Sequence, residues 1–169
     1  SSLSYFVSRK PLGKLLAISY LSIIAGSLVL MLIAYILKDA PRLYFRIFLT
    51  NEFQYHILIL AILQSIYTNH MAVLIGKEKI FMHNLLTLSQ FGSLITLLSI
   101  LYFQELEPTI YHYLTAYYTS ILIPLLFSSF FMIKWIVQEP KGVDSKGLIK
   151  EVFNFGWAVQ SASLVQMFN

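Results

Sequence analysis

Four stretches of this chain, 15–37, 53–76, 80–104 and 109–133, contain no charged residue. This feature constrains the fold most. A helix crosses the ~30 Å hydrocarbon core of a bilayer with ~20 apolar residues, and each stretch is long enough. Inside that core only helices or closed barrels satisfy every backbone group. Barrel strands alternate apolar and polar residues over ~10 positions, which these runs do not. The expectation is an all-α, polytopic transmembrane helical bundle. Composition agrees: 57% of the 169 residues are hydrophobic and 12% are charged, about half the charged share of a soluble domain. So small a soluble protein could not bury that much apolar surface.

A fifth apolar run ends at Asn169, so a last helix over 148–169 is expected to be cut by the chain end. The chain begins Ser1-Ser2-Leu3, without methionine and without the basic-then-apolar order of a signal peptide. It reads as an internal fragment of a longer protein. Residues 1–137 form part of one bundle, the mixed-charge stretch "QEPKGVDSKG" (138–147) is a linker punctuated by Pro140, Gly142 and Gly147, and 148–169 opens a second bundle. There is no cysteine, which excludes thiolate chemistry, Cys-ligated zinc and disulfides.

Orientation follows from the loops. Arg9, Lys10 and Lys14 precede the first span, Lys77 and Lys79 lie between the second and third, and Lys134, Lys141, Lys146 and Lys150 follow the fourth. These alternate connections hold nine of the twelve basic residues. The other side holds Lys38, Arg42 and Arg46, with Glu105 and Glu107. The positive-inside rule puts the lysine-rich connections in the cytoplasm. The turn "GKEKIFMHN" (76–84) faintly resembles a phosphate loop. That loop needs a glycine-rich turn ending in Lys-Ser/Thr after a strand, whereas Lys77 is followed by Glu78 and preceded by an apolar span. A solvated hairpin turn is the expectation.

Small residues let membrane helices approach. Ser89, Gly92, Ser93, Thr96 and Ser99 share a face of the third span, and Ser19, Ser22 and Gly26 a narrower face of the first. In the second span Gln64 and Thr68 lie one turn apart, with Ser65 beside them. In the last segment Gly156, Gln160 and Ser163 share a side with Gln166 at its edge. Such polar faces either pair helices or line a wet cavity. His56, His70, His83 and His112 are scattered and none pairs at i, i+4, so no metal site is expected. His70 and His83 flank the lysine turn, while His56 and His112 belong near the outer surface. Pro124 is expected to kink the fourth span. No motif implies a cofactor, a nucleic acid partner or catalysis.

"ILQSIYTNHMAVLIGKEKIFMHNLLTLSQ" (62–90) resembles the fourth-to-fifth helix hairpin of bacterial polysaccharide flippases, of the multidrug/oligosaccharidyl-lipid/polysaccharide exporter superfamily. In that family a small-residue helix end leads into a Gly-basic turn and an Asn opening the next helix; Gly76, Lys77, Lys79 and Asn84 fit. "LIKEVFNFGWAVQSASLVQMFN" (148–169) resembles the seventh helix, with Gly156, Gln166 and Asn169 matching. "SLSYFVSRKP" (2–11) resembles the end of the second helix and its cytoplasmic loop. The resemblance implies transport of undecaprenyl-pyrophosphate-linked oligosaccharide across the bacterial inner membrane for surface polysaccharide (O-antigen, lipopolysaccharide) synthesis, by alternating access of two six-helix bundles. It implies a substrate path along Gln160, Ser163, Gln166, Asn169, Gln64 and Thr68, with Lys77 and Lys79 in the cytoplasmic loop, and membrane lipids as partners. The sequence departs from the pattern in having no basic residue inside a span. The family's basic residues commonly follow the Gln-x-x-Asn end of helix seven. A drug/cation antiporter of the same superfamily, which uses intramembrane carboxylates, and a membrane polymerase or glycosyltransferase, which needs a large loop, are the rival readings.

Overall fold

The computed structural model of the chain describes residues 2–7, 11–37, 51–103, 109–139 and 150. Five helices are built from these residues: α1 (Ser2–Val7), α2 (Leu12–Leu37), α3 (Asn51–Gly76), α4 (Ile80–Phe103) and α5 (Ile110–Gln138). No strand occurs among the described residues. The last four helices are long and apolar enough to cross a membrane, so the chain is a multi-pass helical membrane protein. Apart from Lys150, the expected helix over 148–169, the linker 138–147 beyond Glu139, and the loop residues Lys38, Arg42, Arg46, Glu105 and Glu107 lie outside the described residues.

The helix ends have identifiable causes. Pro11 precedes α2, where its fixed φ and missing N–H cost nothing, and its carbonyl accepts from Leu15 N at 3.1 Å. Thr109 caps α5: its hydroxyl accepts from His112 N, and the His112 ring reaches back to the Thr109 N–H. This is the reciprocal arrangement of a capping box, with histidine in the usual Glu/Gln position. Glu139 ends α5 in extended backbone (φ −71°, ψ 135°), the conformation favoured before a proline.

The turn between α3 and α4 is a Schellman motif. Lys79 N donates to Leu74 O at 2.8 Å and Glu78 N to Ile75 O at 2.9 Å, satisfying carbonyls that the helix end leaves open. The left-handed residue is Glu78, with φ 58°, and not Gly76. The glycine serves a different purpose. A Cβ built on it would lie 2.5 Å from Ser4 O and 3.0 Å from Val7 Cβ, so its bare backbone lets α1 lie against α3.

Burial concentrates at the end where α2 and α4 begin and α3 and α5 finish. Leu12, Leu15 and Leu16 of α2, Met71, Val73 and Leu74 of α3, Leu86 of α4 and Met132 of α5 form one cluster with Leu3, Phe6 and Val7 of α1. Toward the other end the helices cover one another less: residues 21–32 of α2 are exposed or half-exposed throughout, an apolar surface suited to lipid. The small-residue faces are used unevenly. Ser19 meets α3, but a Cβ on Gly26 or Gly92 would touch nothing within 4 Å. Among the described residues Gly92 is therefore not the centre of a helix crossing, contrary to expectation.

Candidate functional site

Polar groups of different helices meet at several places. The first is the junction of α2, α3 and α5. His70 on α3 is 2% exposed. Its Nε2 lies 2.6 Å from the Tyr20 hydroxyl, and its Nδ1 lies 2.8 Å from Ser128 Oγ. Ser128 Oγ also lies 2.9 Å from Leu125 O. With its hydrogen on that carbonyl, Ser128 accepts from Nδ1 and Tyr20 donates to Nε2; with its hydrogen turned to the ring, Nε2 donates to Tyr20, and the geometry fits both tautomers. Beside this chain, Asn69 Nδ2 donates to Ser19 Oγ. α2 is thus held to α3 by two adjacent side-chain bonds.

The second meeting is between α3 and α4. Gln90 is 8% exposed and its amide donates to Gln64 Oε1 at 3.3 Å. One turn along, Tyr67 is 4% exposed and its hydroxyl oxygen has no hydrogen-bond partner. Thr87 is its polar neighbour on α4, but the Thr87 hydroxyl donates to His83 O at 2.9 Å. Uncharged polar groups therefore line part of the α3/α4 interface. Thr68, paired with Gln64 on sequence grounds, is exposed and donates to the Gln64 carbonyl of its own helix at 2.8 Å. Ser65 behaves likewise, donating to Ala61 O at 2.7 Å.

The third meeting is at the tightly packed end. Leu12 N and Gly13 N, the first free amides of α2, both donate to the Glu139 carboxylate, the second at 3.3 Å. An anion at a helix N-terminus is favoured by the unpaired amides and the helix dipole together. Lys77 is half-buried and Lys79 exposed in the Schellman turn at this same end, with the exposed Lys134 on α5.

Of the residues assigned to a substrate path, Gln64 and Thr68 are described and only Gln64 bonds to another helix. Gln160, Ser163, Gln166 and Asn169 lie outside the described residues. Among the described residues, no group of three or more His, Cys, Asp or Glu side chains gathers to hold a metal. Toward the start of α3, away from the buried cluster, His56 Nδ1 lies 3.1 Å from the Tyr118 hydroxyl. Sequence reasoning passed over Gln90 and Glu139, and placed His70 only beside the lysine turn. No spacing signal marks them, because their partners are distant in the chain and are brought close only by packing. No protein-family model, curated protein or solved structure matches the chain.

Proposed function

We propose that this chain is part of a bacterial inner-membrane flippase that carries undecaprenyl-pyrophosphate-linked oligosaccharide from the cytoplasmic to the outer leaflet, making and breaking no bond. One observation carries the reading: the 62–90 stretch combines a helix end, a Gly-basic turn and an Asn early in the next helix in the flippase pattern. Its physical setting is compatible with that task. A hydrated glycan crossing a bilayer needs hydrogen-bonding groups that are cheap to keep in the membrane. Amides and hydroxyls meet that need without the desolvation cost of an unpaired charge. Gln64 and Gln90 are such groups, and Gln160, Ser163 and Gln166 supply more by sequence. Lys77 and Lys79 flank the turn, where a lysine near anionic headgroups gains ~1 kcal/mol of attraction. That is enough to enrich a pyrophosphate lipid and too little to specify one.

The test is complementation of surface-glycan production by the full-length protein in a flippase-null strain. Gln160→Leu and Gln166→Leu are expected to lower it at equal protein level. Lys77→Ala combined with Lys79→Ala is expected to lower it less. Full complementation by both glutamine variants would reduce the polar face to a packing contact. Failure of the unaltered protein to complement, with drug efflux in its place, would favour the antiporter.

A further inference from the structure

Among the described residues, one fully buried side-chain polar atom lacks a hydrogen-bond partner, the hydroxyl oxygen of Tyr67 on α3. Tyr67 is 4% exposed. It lies nine residues before Gly76, the last residue of α3, which is about 13 Å along the helix axis. That depth is well inside the apolar span Tyr55–Gly76, where lipid tails offer no hydrogen bond. Buried hydroxyls are rarely left unpaired, and ordered water serves where protein supplies no partner. We propose that a water molecule binds between α3 and α4, accepting from the Tyr67 hydroxyl and the Gln90 amide and donating to the Thr87 hydroxyl oxygen.

The seam holds the groups that such a water needs. Gln64 and Tyr67 are three residues apart on α3, and Thr87 and Gln90 three apart on α4, so each pair shares a helix face. The two helices run in opposite directions from their turn. Gln64 thus meets Gln90, at 3.3 Å, and Tyr67 meets Thr87 on the next rung toward the turn. Gln90 is 8% exposed. One of its amide hydrogens goes to Gln64 Oε1, and the second has no acceptor among the described residues. Thr87 Oγ1 lies 2.9 Å from His83 O; with its hydrogen on that carbonyl, its oxygen is left to accept. Tyr67 has its hydroxyl hydrogen to give. Two donors and one acceptor match a water that takes two bonds and gives one, and three bonds are typical of buried water. The spacing fits as well. Rungs three residues apart are separated by about 4.5 Å, and a water about 2.8 Å from each of two atoms spans roughly that distance.

The surroundings select water over a larger ligand. Toward the turn, Met71 and Leu74 of α3 and Leu86 of α4 are buried and apolar, so they close the seam on that side. Toward the other end Gln64 is half-buried, and entry is past its amide. Tyr67 is so nearly covered that a sugar or a lipid headgroup does not reach its hydroxyl. A direct bond from Tyr67 to Thr87 is the competing arrangement. It satisfies the phenol but leaves the second Gln90 hydrogen without an acceptor, whereas one water serves all three groups.

The water site does not depend on the transporter reading, and its test involves no transport. The full-length protein is reconstituted in lipid bilayers with ¹³C and ¹⁵N labels, and solid-state NMR follows magnetisation that starts on water. The expected result is early transfer to Tyr67 Cζ and Gln90 Nε2, and none to the side chain of Ile121, which is wholly buried. Loss of each signal in Tyr67→Phe and Gln90→Leu assigns it. Gln90→Leu is expected to weaken the transfer to Tyr67 severalfold, because the water loses one of its holders. Tyr67→Phe is expected to shift the unfolding equilibrium in mixed micelles about fivefold toward the unfolded state, as loss of one hydrogen bond does. If Gln90→Leu does not accumulate, Gln90→Met, of similar length and without the amide, takes its place. Absence of early transfer to Tyr67 in the unaltered protein overturns the proposal, since a hydroxyl bonded to Thr87 or left unpaired receives none. Transfer to Tyr67 at full strength in the folded Gln90 variant overturns the bridge, and so does an unfolding equilibrium that Tyr67→Phe leaves unchanged or improves.

Discussion

Replacing Gly76 by alanine tests whether the glycine is there for the turn or for the helix crossing. Its Cβ would sit 2.5 Å from a backbone oxygen, Ser4 O. A carbon–oxygen contact is comfortable at about 3.3 Å, so α1 must withdraw by roughly 0.8 Å. A backbone atom cannot rotate away as a side chain can, so the displacement passes to the buried Leu3, Phe6 and Val7. Overpacking of this kind costs about 1–3 kcal/mol, and the upper part of that range applies here. Alanine is a better helix former than glycine by about 1 kcal/mol, which leaves a net loss of about 2 kcal/mol, near a 30-fold shift in the unfolding equilibrium. Gly92→Ala is the comparator, because its Cβ meets nothing within 4 Å; only the helix-forming gain applies, and it should be neutral or stabilising. Equilibrium unfolding of the full-length protein in mixed detergent micelles measures both. If the two variants shift the midpoint alike, close approach of α1 is not the reason for Gly76.

Glu78→Gly removes a side chain from left-handed backbone, a conformation costing other residues about 1–2 kcal/mol. Part of that relief is lost to the freedom of the unfolded glycine, so a gain of about 0.5–1 kcal/mol is expected in the same unfolding assay. Glu139→Ala strips two amides of their acceptor at the start of α2. It should cost about 1 kcal/mol, as loss of an N-cap does, with Glu139→Gln retaining part of the effect; equal thermal midpoints for all three proteins would show that water caps the helix as well. A cysteine introduced as Lys77→Cys should react with impermeant reagents only from the cytoplasmic side, and labelling from outside in intact cells would invert the orientation drawn from the lysines.

The spans were legible because charge is so costly in hydrocarbon that it punctuates the sequence. The apolar runs beginning at 53 and 80 match α3 and α4 closely. The outer limits moved for one reason: α2 starts at Leu12, before Lys14, and α5 runs to Gln138, past Lys134. A lysine ends an apolar run without ending a helix, since its long stem lets the ammonium reach the interface. The lysine turn was correctly read as a turn, but its left-handed residue is a glutamate, and glycine would have been the sequence-based choice. The polar joints were harder. Tyr20, His70 and Ser128 are separated by 50 and 58 residues, and nothing local singles out His70 from three other histidines. Small residues mark where helices can approach, not where they do, which is why Ser19 was informative and Gly92 was not.

The Glu139 clasp also has a history in time. Its carboxylate bonds amides 127 and 126 residues earlier in the chain. A ribosome adding about 5–20 residues per second needs roughly 6–25 s to travel that distance. During that interval the first turn of α2 is already made and its amides have no acceptor from their own fold; water and lipid headgroups at the membrane surface must serve. The first turn of α2 therefore stays open during synthesis until the end of α5 is made, although α3 has by then bonded α2 at Ser19 and Tyr20. The arrival of Glu139 at the end of α5 supplies the acceptor for that turn.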